Sequence, residues 1–139
     1  TSLGALPKTM KQFNSVRTGL ILDFNKIIPN ETINLFPQGI INIHFSKLPQ
    51  YRGPAPVQYT ILNGDKQAWI TYYLINEKVD AGKILKQTSL DLDFTETTES
   101  LYQKLILKSA REINGIIEDY LQGKILPFPQ KALLPPLAN

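Results

Sequence analysis

Apolar positions change their period several times along this chain, and each change marks an element. Thr18-Gly19-Leu20-Ile21-Leu22-Asp23-Phe24 is short and almost continuously apolar, the profile of a strand covered on both faces. Asn25 to Pro29 reads as a turn. Pro29-Asn30 then leads into a short helix carrying Glu31, Ile33, Leu35 and Phe36, stopped by Pro37 and Gly39. Gly39 to His44 is a second buried strand, so the β-α-β order predicts parallel pairing with a right-handed crossover. Pro54-Ala55-Pro56 opens a helix through Val57, Tyr59, Ile61 and Leu62, with proline in a first turn where its missing N–H is not needed. Asn63-Gly64-Asp65 stops it. Trp69 to Ile75 is rich in β-formers and reads as a strand. A loop follows over Asn76 to Gly82, and Lys83 to Leu92 alternates as a half-exposed strand does.

The clearest helix spans Thr95 to Gln122. Thr97 or Thr98 can cap it, Glu99 sits in its first turn, and Leu101, Leu105, Ile113, Ile116, Ile117, Tyr120 and Leu121 recur at helical spacing before Gly123 ends it. The pattern therefore predicts an α/β fold over residues 1–125, with 126–139 a proline-rich tail or linker. Two parallel-type strands at the front make an incomplete sheet. With a start at Thr1 and little pattern in the first stretch, the chain reads as a piece of a longer polypeptide whose N-terminal strands are missing.

Composition narrows the chemistry. A chain of 139 residues, 42% hydrophobic and 19% charged, is long enough for a single core and is not of disordered type. Cysteine is absent and histidine occurs once, so disulfides, thiolate sites and the common zinc constellations are excluded and no metal is expected. No apolar run approaches the roughly 20 residues of a membrane helix and no signal peptide is recognisable, which leaves the cytoplasm, or an organelle matrix after processing, as the expected location. The formal charge of +3 is compatible with an anionic partner, but the lysines are scattered and form no polyanion patch.

The informative run is Asn42-Ile43-His44-Phe45-Ser46-Lys47-Leu48-Pro49-Gln50-Tyr51-Arg52-Gly53-Pro54-Ala55-Pro56. Strand alternation puts residues i and i+2 on one face, so the Asn42 amide and the His44 imidazole should emerge side by side. They do so where a strand opens into a loop, the place where α/β proteins keep their chemistry. Taken singly, each has a plainer explanation. An isolated histidine at a strand end is more often a satisfied structural group, asparagine bonds its own loop, and Asp80 before Ala81-Gly82 suits an ordinary turn.

From Gly39 to Gly82 the chain resembles the folate-dependent formyltransferase family. That family carries Asn-x-His-x-Ser-Leu-Leu-Pro and, later, an acidic residue in a Leu-Asp-x-Gly-type loop. The matches are Asn42, His44, Ser46, Leu48 and Pro49, then Val79-Asp80-Ala81-Gly82. The resemblance implies a Rossmann-type sheet with flanking helices, of which this chain is the C-terminal portion. It also implies transfer of a formyl group from 10-formyltetrahydrofolate to an amine. In that chemistry Asn42 would donate to the oxyanion, His44 would be an electrophilic partner or proton carrier, and Asp80 would orient the imidazole and organise a relay water. Folate contacts would come from Ile28, Ile75 and Val79, for which core packing is the competing reading, and from Ser46, Leu48 and Pro49. Arg52 would meet the phosphate or nucleotide of the acceptor, or brace its own loop.

Within the family, Tyr51 to Pro56 and Ile61 to Asp65 most resemble the branch that formylates initiator methionyl-tRNA, which makes that tRNA the expected acceptor. Sugar-nucleotide N-formyltransferases share the Tyr-Arg-Gly element and remain an alternative. An inactive piece that only binds folate or a partner is another. Four positions depart from the family pattern: Lys47 stands at an apolar position, Trp69 at a small one, and Asn76 and Lys78 where Asp and Gly are usual.

Overall fold

The computed structural model describes residues 12, 15–22, 24 and 26–131. Asp23 and Asn25 of the predicted first strand and turn, and Leu133 to Pro136 of the tail, lie outside them. The elements run β1 (Gly19–Leu22), α1 (Asn30–Ile33), β2 (Ile40–His44), α2 (Pro56–Leu62), β3 (Gln67–Leu74), β4 (Ile84–Asp91) and α3 (Thr98–Leu121). They form an α/β fold around a four-stranded sheet of order β1-β2-β3-β4. β1 and β2 pair in parallel, as the β-α-β pattern predicts, and the two remaining pairs are antiparallel. Among the described residues no helix is long and apolar enough to cross a membrane.

Two elements differ from their sequence pattern. α1 is a single turn, with Leu35 and Phe36 in the turns after it. Pro37 disfavours helical geometry at the residue before it, which leaves little room to extend. β1 is not covered on both faces, since Leu20 and Leu22 are 46% and 47% exposed. Among the described residues it is the outermost strand, and its side chains alternate between more and less exposed as in a strand with one open face.

The core lies between the sheet and α3. Leu101, Leu105, Ile113 and Ile116 face Ile41 and Ile43 of β2, Ile70 and Tyr72 of β3, Leu85 of β4 and Val57 of α2. Ser109, buried in the same helical stripe, satisfies its hydroxyl by donating to Ile106 O (2.9 Å). The capping box forms at Thr97 with Ser100 as its partner, so two of the orphan N–H groups at the helix start are paired. Tyr72 and Thr88 both donate to Glu112 (2.7 and 2.8 Å), and Lys108 pairs with the same carboxylate, which anchors α3 to the sheet.

Because Ile41 and Ile43 turn toward α3, Asn42 and His44 turn to the opposite face. Beyond α3 the chain returns to the sheet. Phe128 and Ile84 exchange two backbone hydrogen bonds (2.8 and 2.9 Å), so the tail docks on the edge of β4.

Candidate active site

The pairing of β2 with β3 decides what surrounds Asn42. In this antiparallel register Asn42 lies opposite Tyr73 and His44 opposite Thr71. Asn42 Nδ2 donates to the Tyr73 hydroxyl (2.8 Å), and that hydroxyl donates to Asp80 Oδ1 (2.7 Å). The direction of the chain is forced, because an ionised carboxylate only accepts; the single phenol proton goes to Asp80 and the phenol oxygen is left for the amide N–H. Asn42 Oδ1 is buried with no partner among the described residues. Burial pushes the Tyr73 phenol far above its usual range; donation from Asn42 pulls it down, and the Asp80 carboxylate adds to the rise. It is therefore a proton-bearing hydroxyl at neutral pH.

His44 is 8% exposed. Its Nε2 lies 2.9 Å from the carbonyl of Tyr51. A carbonyl only accepts, so Nε2 carries the hydrogen and Nδ1 is the nitrogen left for exchange. Nδ1 faces Asp80 Oδ2 at 3.7 Å, an ion pair once the ring is protonated. The imidazole is thus held at Nε2 by Tyr51, a partner beyond the Asp80 expected from the resemblance. Tyr51 reaches it from the left-handed region (φ +54°), where a non-glycine residue is held only by its surroundings. Its phenol donates to Asp65 Oδ2 (2.8 Å), accepts from Asn63 Nδ2 (2.9 Å) and stacks on Tyr59 (6.1 Å between centroids). All three partners lie in α2 or just beyond it.

Asp80 also has positive φ (+49°), and its Oδ2 accepts from the backbone N–H of Gly53 (2.8 Å). The loop closes tightly against β3. A Cβ on Gly82 would lie 1.6 Å from the Leu74 carbonyl oxygen, so no side chain fits there. Asn76 keeps an Asx turn by accepting from Lys78 N (2.9 Å). Lys47 and Trp69 account for each other, with the ammonium 4.1 Å from the indole centroid.

A cleft of about 430 Å³ opens over Asn42, His44, Tyr73 and Asp80, and Ile28, Ile75 and Val79 line it. Those seven positions come together. Ser46, Leu48 and Pro49 are not among the residues lining it. β2 ends at His44, and the chain reverses before alternation can carry Ser46 onto the same face. Ser46 instead donates to Gln50 O (2.6 Å) and is held through its carbonyl by Thr71 (2.6 Å), while Leu48 packs on Tyr73 and Ile84. Arg52 does not line it either; Nε donates to Asp80 O (3.1 Å) and Nη2 to Gln130 Oε1 (2.7 Å). Sequence reasoning missed Tyr73, Tyr51 and Gln130. The tyrosine pair at 72 and 73 was visible, but only the register shows which one meets Asn42.

Residues 7–115 match the family model described as formyl transferase. A methionyl-tRNA formyltransferase from Thermodesulfovibrio yellowstonii is 33% identical over 132 residues, covering 89% of this chain and 43% of that protein. One from Bacillus thuringiensis is 39% identical over 107 residues, covering 77% and 34%. The chain thus spans less than half the length of these curated relatives. Among solved structures, the sugar 3N-formyl transferase WlaRD, crystallised in the presence of dTDP and 5-N-formyl-THF, superposes with a TM-score of 0.72. Its sequence is 26% identical, and the match covers 82% of this chain and 41% of that one.

Proposed function

The chain belongs to the formyl transferase family, and from that premise we propose that it carries the reacting centre for formyl transfer from 10-formyltetrahydrofolate to the amino group of methionyl-tRNA. The observation that carries this reading is the convergence of an amide, an imidazole and a carboxylate on one apolar-walled cleft. The relatives at 33% and 39% identity, both methionyl-tRNA formyltransferases, support the acceptor over an amino sugar, whose WlaRD representative is 26% identical.

The folate donor supplies an activated one-carbon acyl group; the chain's residues do the rest. Asn42 Nδ2 has two hydrogens and Tyr73 holds one, so the other is available to the formyl oxygen as negative charge develops there. Such a donor is worth about 2.7–4 kcal/mol in the transition state. The buried, unpartnered Asn42 Oδ1 is an acceptor for an incoming N–H, and leaving it unmatched costs about 1–3 kcal/mol. The residues present therefore fit an amide-like donor and an amine together. An α-amino group has an ordinary pKa of about 7.7–8.0, so a modest base suffices to keep it neutral. His44 takes or returns the proton at Nδ1, and Asp80 balances the charge it then carries. Ile28, Ile75 and Val79 wall the folate ring. Arg52 braces the Asp80 loop with two of its five N–H groups and keeps the others for an acceptor phosphate.

The test offers 10-formyltetrahydrofolate with methionyl-tRNA, and in parallel with an amino-sugar nucleotide, to the complete polypeptide containing this chain. Formyl-methionyl-tRNA is the expected product, and transfer to the sugar alone overturns the acceptor. His44→Ala should lower kcat by about 10²–10⁴-fold with folate affinity close to wild type. Wild-type turnover in that variant removes His44 from the mechanism.

A further inference from the structure

The loop carrying Asp80 is held from two sides, and only one of them is the sheet. On the cleft side, Tyr73 and the Gly53 N–H grip the carboxylate. On the outer side, Gln130 Nε2 donates to the carbonyls of both Asp80 and Gly82 (2.9 Å each), and Gln130 Oε1 accepts from Arg52 (2.7 Å). Arg52 in turn donates to Asp80 O (3.1 Å). Gln130 stands two residues beyond Phe128, whose backbone pairs in both directions with Ile84. Its own backbone is therefore fixed relative to the sheet.

We propose that Gln130 is a positioning residue for Asp80, and that the docked segment 126–131 is a strap that sets the loop. Three features argue for it. Asp80 has a left-handed backbone (φ +49°), uncommon even for an aspartate and steadied by its surroundings. Its carbonyl, which that conformation turns outward, is the atom Gln130 and Arg52 both satisfy. And the position needs two donors and one acceptor on a single short side chain, a set that a carboxamide supplies and a carboxylate or ammonium does not. The consequence for catalysis rests on the proposed function: when the strap is cut, Asp80 loses the constraint that keeps its carboxylate opposite His44 Nδ1.

Gln130→Glu and Gln130→Ala separate the contributions. Glu keeps an acceptor for Arg52 but loses both donations and sets a negative charge against two carbonyl oxygens; Ala loses all three contacts. Hydrogen–deuterium exchange is read over residues 76–84, with the α3 core as control, and kcat and KM for 10-formyltetrahydrofolate are read alongside. Exchange over 76–84 should rise about tenfold in both variants with α3 unchanged. kcat should fall about tenfold with KM near wild type, and Glu should be at least as impaired as Ala. Unchanged exchange over 76–84 overturns the strap, and raised exchange with wild-type kcat overturns its part in positioning Asp80. Should the wild-type protein transfer no formyl group, the proposed function fails, and exchange alone decides whether Gln130 orders the loop.

Discussion

Replacing Tyr73 with Phe removes one oxygen from the middle of the Asn42–Tyr73–Asp80 chain and leaves the ring where it was. The residue is 2% exposed, so water does not readily take the oxygen's place. The lost hydrogen bond to an ionised carboxylate is worth about 1.5–3 kcal/mol, and the abandoned Asn42 N–H costs about 1–3 kcal/mol. Part of this is returned, because the variant no longer buries a phenol hydroxyl. A net destabilisation of about 2–3 kcal/mol follows. With Oδ1 already unpartnered, the Asn42 amide would then have neither end fixed and would rotate. A donor poised for the formyl oxygen becomes a loose one, and kcat should fall by about 10–100-fold. Tyr72→Phe is the control. Its side chain is also buried and its hydroxyl also bound to a carboxylate, Glu112, but on the α3 side of the sheet. Urea unfolding should report similar losses for the two variants, and formyl-transfer kinetics a loss in Tyr73→Phe alone. Equal kcat in both variants, or a Tyr73→Phe enzyme within about threefold of wild type, would refute the reasoning.

Gly82→Ala forces a Cβ to within 1.6 Å of the Leu74 carbonyl oxygen, and that oxygen is backbone that cannot swing aside. The expected loss is about 3 kcal/mol or more in urea unfolding, and a loss below 1 kcal/mol would mean the loop relaxes freely. Alkaline pH should destabilise the protein through Tyr72 and Tyr73, whose phenols burial raises above the usual value of about 10. The unfolded chain releases these protons first as pH rises. Stability is therefore complete below about pH 10 and falls above it by about 1.4 kcal/mol per pH unit for each phenol. Each Phe substitution should remove one proton's share of that slope, and unfolding curves between pH 9 and 12 that keep the wild-type slope in both variants would contradict it.

Much of this was legible in the chain because it is local. The 41-to-44 alternation sends Asn42 and His44 to one face, and the Thr97 cap and the 101–116 stripe define α3 within a few turns of sequence. What escaped is long-range. Tyr73 meets Asn42 across 31 residues of sequence and Gln130 meets Asp80 across 50, and both depend on a register that no short window contains. Ser46, two positions beyond His44, lies outside the cleft lining. The resemblance implies a folate contact there, but β2 ends at His44 and the Ser46 hydroxyl donates to Gln50 O. Lys47 and Trp69 look like separate departures until the fold brings cation and indole together.

Tyr51 links the cleft to the exit of α2. Its main-chain oxygen fixes the imidazole, while its phenol is moored to the residues that finish α2. The tilt of the His44 ring is therefore dictated from behind, by the helix, before any ligand enters. If His44 carries the proton as proposed, substitutions at the exit of α2 should retune that transfer without touching a group that faces the cleft.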